Sequence, residues 1–168
     1  MPNYDLELYQ TIVANPPFSI MDSAIHGKAH AERVFLFATL LAGSAPNPRL
    51  DMNAIMLGAL LHDCGRLKEG YDPEHAERSA DLATKFIREL RIRNCDTLLV
   101  SKIIKLHYNP GTNPLLGSPM EAKIVGDADK LDRFRLGGED PCDKSYFELP
   151  YTFVFMELSK RLNHYVSP

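Results

Sequence analysis

The sequence predicts an all-α, single-domain bundle of about six or seven helices. Three observations predict it. Proline and glycine divide the 168 residues into pieces, and the apolar positions within most pieces recur with a helical period. Residues that make good N-caps precede several pieces, and glycines follow them. Nothing reads as a run of alternating strands.

Tyr4 to Ala14 reads as a short first helix, closed by Asn15-Pro16-Pro17. A long helix follows to about Leu41, with Asp22 or Ser23 as its cap and Gly43 as its end. Ala45-Pro46-Asn47-Pro48 is a loop. Asp51 is the expected N-cap of Met52 to Cys64, and Gly65 the expected stop. Asp72 is the expected cap of a helix with Pro73 at its first position, running to about Arg91. Cys95 to His107 is the next helix, and a loop rich in Pro and Gly runs from Asn109 to Pro119. Met120 to Arg135 is helical, with Ala122 to Val125 as the one stretch that also suits extended chain. Gly137-Gly138 breaks it, and a polar loop leads to a last helix, about Tyr151 to Tyr165. No linker is long enough to divide the chain, so residues 1–168 form one domain, with the motifs between about 22 and 135.

Composition narrows the function. Apolar residues make up 45% and charged residues 24%, which fits a folded globular protein and not a disordered one. A net charge of -3 gives no bulk electrostatic reason to expect a nucleic acid polymer or an anionic membrane as partner. Three cysteines, Cys64, Cys95 and Cys142, with no CxxC spacing, point to a reducing compartment without a disulfide framework. Met1 to Gln10 lacks the pattern of a signal peptide. The longest apolar runs are about eight residues, short of the roughly 20 that span a bilayer. Together these place the protein in the cytoplasm.

Three segments carry chemistry. Ala54 to Leu61 is apolar on every side, so it belongs in the middle of the fold, yet it ends in His62-Asp63. A carboxylate at the end of a buried helix is costly unless it is paired or holds a metal. A salt bridge to an arginine is the plain alternative. His26 and His30, four apart, share a face if both are helical, and two histidines so spaced can hold one ion. In Gly126-Asp127-Ala128-Asp129-Lys130-Leu131-Asp132, a helix points Asp129 and Asp132 one way and Asp127 another. Its plain alternative is a solvated face with an Asp129–Arg133 pair. Two imidazoles and two carboxylates brought together make a mixed site suited to Mn, Fe, Co, Ni or Zn, with Mg a further candidate. Such a site activates water and polarises a phosphoryl group.

With His30 in HAERV, His62-Asp63 in LLHDCGR and Asp129 in DADKLD, the chain resembles the HD-domain superfamily of metal-dependent phosphohydrolases over about residues 22 to 135. Cys64 departs mildly from it, standing where an aliphatic residue is usual. The resemblance implies an all-α fold, a divalent metal on His30, His62, Asp63 and Asp129, and hydrolysis of a phosphate ester, often of a nucleotide. Some members resemble this chain in having histidines where His75 and His107 stand, and there the pair binds a second metal with the HD aspartate bridging. Contact with substrate phosphate, proton donation or helix capping are the alternatives for His75 and His107.

Cations accompany each motif. Arg66 and Lys130 are the foremost candidates for phosphate contact, and His26 is another. Arg33, one turn beyond His30, either joins them or braces a carboxylate of the site. Asp63 or a neighbouring carboxylate would take the proton of the attacking water. Two rival functions share the ligand set: a di-iron oxygenase of the same fold, and a non-catalytic regulator that binds a nucleotide or metal. The last helix, with Phe153, Phe155, Met156 and Leu158, is either core or a face for a homodimer, core being the commoner outcome.

Overall fold

A computed structural model of the chain describes residues 5–14, 17, 20, 23, 25–46, 49–108, 117–136 and 147–166. Seven helices follow in order: α1 (Leu6–Ala14), α2 (Lys28–Ser44), α3 (Met52–Leu61), α4 (His75–Glu89), α5 (Thr97–His107), α6 (Met120–Asp132) and α7 (Phe153–Val166). A 3-10 turn, Arg133–Leu136, continues α6. Among the described residues there is no strand. Asp22, Asn15-Pro16, Asn47-Pro48, Asn109 to Leu116 and Gly137 to Tyr146, with Cys142 among them, lie outside the described residues.

α3 is central because nothing along it needs water. Every residue from Ala54 to Leu61 is buried, and α2, α5 and α6 pack around it. Burying a Leu or Ile side chain contributes roughly 1.5–3 kcal/mol, so this helix anchors the core. Asp51 caps it, accepting from the Ala54 N–H at 2.9 Å. Gly58 lets α5 approach: a Cβ there would lie 2.5 Å from Ile103 Cγ2. Ala122 to Val125, which also suited extended chain, is helical.

Several boundaries shift: α5 starts at Thr97, capped by Asp96, not at Cys95, α7 starts at Phe153, not near Tyr151, and three others move. The long second helix starts at Lys28, not near Ser23. Ser23 instead caps a preceding turn, its hydroxyl accepting from the N–H groups of Ile25 and His26. His26 is therefore outside the helix, and the shared-face argument for it does not hold. α4 starts at His75, not at Pro73. The Asp72 carboxylate does not cap it but accepts from Leu67 N–H and Arg78, because a buried acid is better served by a guanidinium than by one amide. α3 ends at Leu61, so His62 to Gly65 form a turn. That turn passes close to α4: a Cβ on Gly65 would lie 2.4 Å from the Ser79 nitrogen.

Of the apolar residues on α7, Met156 is in the core and Phe155 half-buried, whereas Phe153 and Leu158 are exposed. The segment before α7 is held by Asp127, which accepts from the N–H groups of Glu148 and Leu149 and from the Thr152 hydroxyl. No described helix is long and apolar enough to cross a membrane.

Candidate metal centre

Five elements bring their ends to one place. The start of α2 carries His30, the turn after α3 carries His62 and Asp63, and α6 carries Asp129. The start of α4 carries His75 and the end of α5 carries His107. All six side chains are buried. His30 Nε2 lies 3.1 Å from His62 Nε2 and 3.2 Å from Asp129 Oδ1. Asp63 Oδ2 lies 3.8 Å from His30 Nε2 and 3.6 Å from His62 Nε2. The other oxygen, Asp63 Oδ1, lies 3.4 Å from His75 Nε2 and 3.8 Å from His107 Nε2. One carboxylate thus stands between two pairs of imidazoles.

The protons of these imidazoles follow from their partners. His62 Nδ1 donates to the Ala59 carbonyl (2.8 Å), His75 Nδ1 to the Asp72 carbonyl (2.5 Å) and His107 Nδ1 to the Ile104 carbonyl (2.5 Å). A carbonyl only accepts, so each Nδ1 carries a hydrogen and Nε2 is the ring nitrogen that faces inward. His75 Nε2 and His107 Nε2 face each other at 3.3 Å. Asp63 Oδ1 beside them is buried and has no hydrogen-bond partner among the described residues. Arg66 NH2 reaches His75 Nε2 at 3.1 Å, but Asp63 Oδ1 stays unsatisfied, and a buried acceptor without a donor costs about 1–3 kcal/mol, more when charged. A cation removes that cost, so the donor set fits a metal. His30, His62 and Asp129, and separately His62, Asp63 and His107, each offer ligand atoms within 4.8 Å of one another.

His30 differs from the other three. Its Nδ1 meets Asp132 Oδ2 at 2.6 Å. Asp132 also accepts from Arg33 Nε and Arg135 Nε, both at 2.6 Å. Arg33 therefore braces a carboxylate, as its position one turn beyond His30 allows. Burial opposes charge on His30, but hydrogen bonds to Asp129 and Asp132 outweigh it and raise its pKa to about 9. Burial also opposes charge on Asp63, yet His62 and His107 hold its pKa down to about 2. His107 is pushed down to about 3, chiefly by burial and then by His62. Asp129 sits well below the usual carboxylate range, since the His30 hydrogen bond and Arg133 outweigh its burial. Both carboxylates are thus ionised, and His107 is neutral.

The residues expected to meet phosphate are placed unevenly. Arg66 is buried in the cluster, with Nε 3.2 Å from Asp63 Oδ1, NH2 3.1 Å from His75 Nε2 and NH1 donating to the Gly70 carbonyl. Its Nε points off the line to Asp63, so that contact is an ion pair without a hydrogen bond. His26 is at the rim: its ring lies 5.8 Å from that of His30 and its Nδ1 2.5 Å from Glu69 Oε2. Lys130 goes elsewhere, its ammonium 3.7 Å from Asp127 Oδ1, and Asp127 is turned to the 148–152 segment. Sequence reasoning missed Asp132 as the partner of His30 and Glu69 as the partner of His26. Asp132 carried a signal, standing three residues after Asp129 on one helix face. Glu69 carried none, because its contact spans a loop.

The HD domain family model matches residues 28–133, well over half of the chain. The chain belongs to the HD domain family. That is the superfamily of metal-dependent phosphohydrolases, whose members are all-α and bind divalent metals. The match begins at the start of α2 and ends just past α6, so it takes in all six residues of the cluster. Neither curated proteins nor solved structures give a match to this HD domain chain.

Proposed function

We propose that this HD domain protein is a metal-dependent phosphohydrolase acting on a small phosphorylated metabolite, a nucleotide being the first candidate. The observation that carries the reading is Asp63, a buried carboxylate with one oxygen toward His30 and His62 and the other toward His75 and His107. His30, His62, Asp63 and Asp129 would hold one divalent ion. His75 and His107, with Asp63 Oδ1, would hold a second. The metal supplies a Lewis acid for the phosphoryl group and acidifies water at neutral pH.

The rest of the work falls to protein groups. The main-chain carbonyls of Ala59, Asp72 and Ile104 fix which nitrogen of three imidazoles faces inward. Arg66 is already buried beside Asp63 and His75, where its N–H groups can turn to phosphoryl oxygens as charge builds in the transition state. His26 at the rim offers the ring nitrogen that Glu69 does not occupy, suited to contact with the ester group. Asp63 and Asp129 are ionised, so either can receive a proton from the attacking water.

The test is a screen of nucleotides and phosphate monoesters with Mn²⁺, Mg²⁺, Co²⁺ and Ni²⁺, run on the wild type and on Asp63→Ala. Phosphate release that needs added metal and disappears in Asp63→Ala, together with loss of bound metal, is the expected result. Full activity in that variant would sink the proposal.

A further inference from the structure

α4 and α5 carry His75 and His107 at one end. At the other end, about 20 Å away along the 15 residues of α4, they frame a groove of about 490 Å³ lined by Ile87, Arg88, Arg91, Ile92, Arg93 and Thr97 among others. No carboxylate lines it. Among the described residues, none of the three arginines has an acidic partner within 4.0 Å. Neighbouring Glu89 is instead engaged with Lys85 at 3.8 Å. All three arginines are exposed at the rim of the groove, and Arg93 also lines an adjoining cleft with Asp5 and Glu7. In a chain of net charge -3 they form a local basic patch suited to a polyanion.

The backbone adds an independent observation. Arg91 has φ +53°, the only non-glycine with positive φ among the described residues. It follows the end of α4, where Ile92 N–H donates to the Ile87 carbonyl and Arg91 N–H to the Arg88 carbonyl, both near 3.0 Å. Helices commonly end in this left-handed turn, but with glycine at that position, because a Cβ is strained there. The helix dipole favours a cation at Arg88. It explains neither a strained arginine at position 91 nor Arg93, which lies beyond the helix. Strain retained at a cavity lined with like charges is a mark of a functional position.

We propose that this groove binds a nucleoside di- or triphosphate at a site separate from the metal centre. Arg88, Arg91 and Arg93 take the phosphates by bidentate, charge-assisted hydrogen bonds. Half-buried Ile92 gives the base an apolar contact. The volume falls within the range of small-molecule sites, about 300–1,000 Å³. The proposal does not rest on the function assigned to the metal centre.

The test is calorimetric titration with the β,γ-methylene analogue of ATP. It uses the wild type, Asp63→Asn to disable the metal centre, the double variant Arg88→Gln/Arg93→Gln, and Arg91→Gly. The analogue should bind Asp63→Asn as it binds the wild type at this site. The double variant should weaken that binding about tenfold or more. Arg91→Gly should weaken it while raising Tm by a few degrees, because glycine relieves the strained turn. Melting curves establish that each variant is folded. No binding to Asp63→Asn at millimolar concentration, or undiminished affinity in the arginine variants, overturns the proposal. Inorganic triphosphate binding as tightly as the analogue would contradict the role given to Ile92 and overturn the assignment of a nucleotide.

Discussion

On the α2–α6 side of Asp63, His30 leans on a carboxylate, Asp132, which two arginines hold in place. On the α4–α5 side, His75 and His107 lean on main-chain carbonyls three residues before them, and Arg66 stands among the ligands. An anionic partner makes an imidazole a stronger donor, and a nearby guanidinium repels a second cation. The α2–α6 half also has Asp129, whereas the other half has only the far oxygen of Asp63. On the proposed reading, the two halves would hold metal with unequal affinity, the His30 half the tighter.

The largest effect that would sharpen this contrast is on the weaker half. His107→Gln should remove the second equivalent of bound metal and leave the first, as counted by elemental analysis after loading with Mn²⁺. Retention of both equivalents would break the assignment of the α4–α5 half. Next is Asp132→Asn, which keeps an oxygen near His30 Nδ1 but loses the charge. Metal affinity at the tighter position should fall about 10- to 100-fold, and an unchanged titration would remove the stated reason for inequality. A melting curve accompanies it, since Arg33 and Arg135 lose their partner.

Chelation is the smaller, global effect. If the ion is held at about 100 times its Kd, its removal costs about 2.7 kcal/mol. For a domain of this size that lowers Tm by roughly 5–10 °C, read by differential scanning calorimetry with and without EDTA. The smallest effect concerns Cys64, which is buried in the turn beside Asp63 and whose thiol burial pushes up to about 12. At pH 8 the native protein should leave Cys64 unalkylated by iodoacetamide while half-buried Cys95 reacts slowly. Peptide mapping resolves the two.

How much of this was legible beforehand depended on whether the cause was local. The burial of Ala54 to Leu61 followed from its lack of any polar side chain, and Asp51 marked the start of the helix, whereas Gly65 stands at the far side of the turn that follows its end. The divergence of Asp127 from Asp129 and Asp132 followed from helical geometry alone, and the structure shows it. Asp72 looked like a cap, but Arg78 competed for it from the next turn. Ser23 looked like the start of a helix, but its hydroxyl closed a turn and moved the start to Lys28. The partners of His30 and His26 lie 102 and 43 residues away in sequence. No periodicity in a single segment reports contacts of that kind. The histidines could be chosen by type and spacing, whereas the groups that orient them needed the fold.

If the cluster around Asp63 is the metal centre of a phosphohydrolase, as proposed, turnover follows bound metal. The most direct measurement takes the chelated protein, adds Mn²⁺ in steps, and follows bound metal and phosphate release from the best substrate of the nucleotide and monoester screen. The predicted result is no turnover in the metal-free protein and activity that rises with the bound equivalents. Turnover indifferent to chelation, or a protein that takes up no metal, would contradict it.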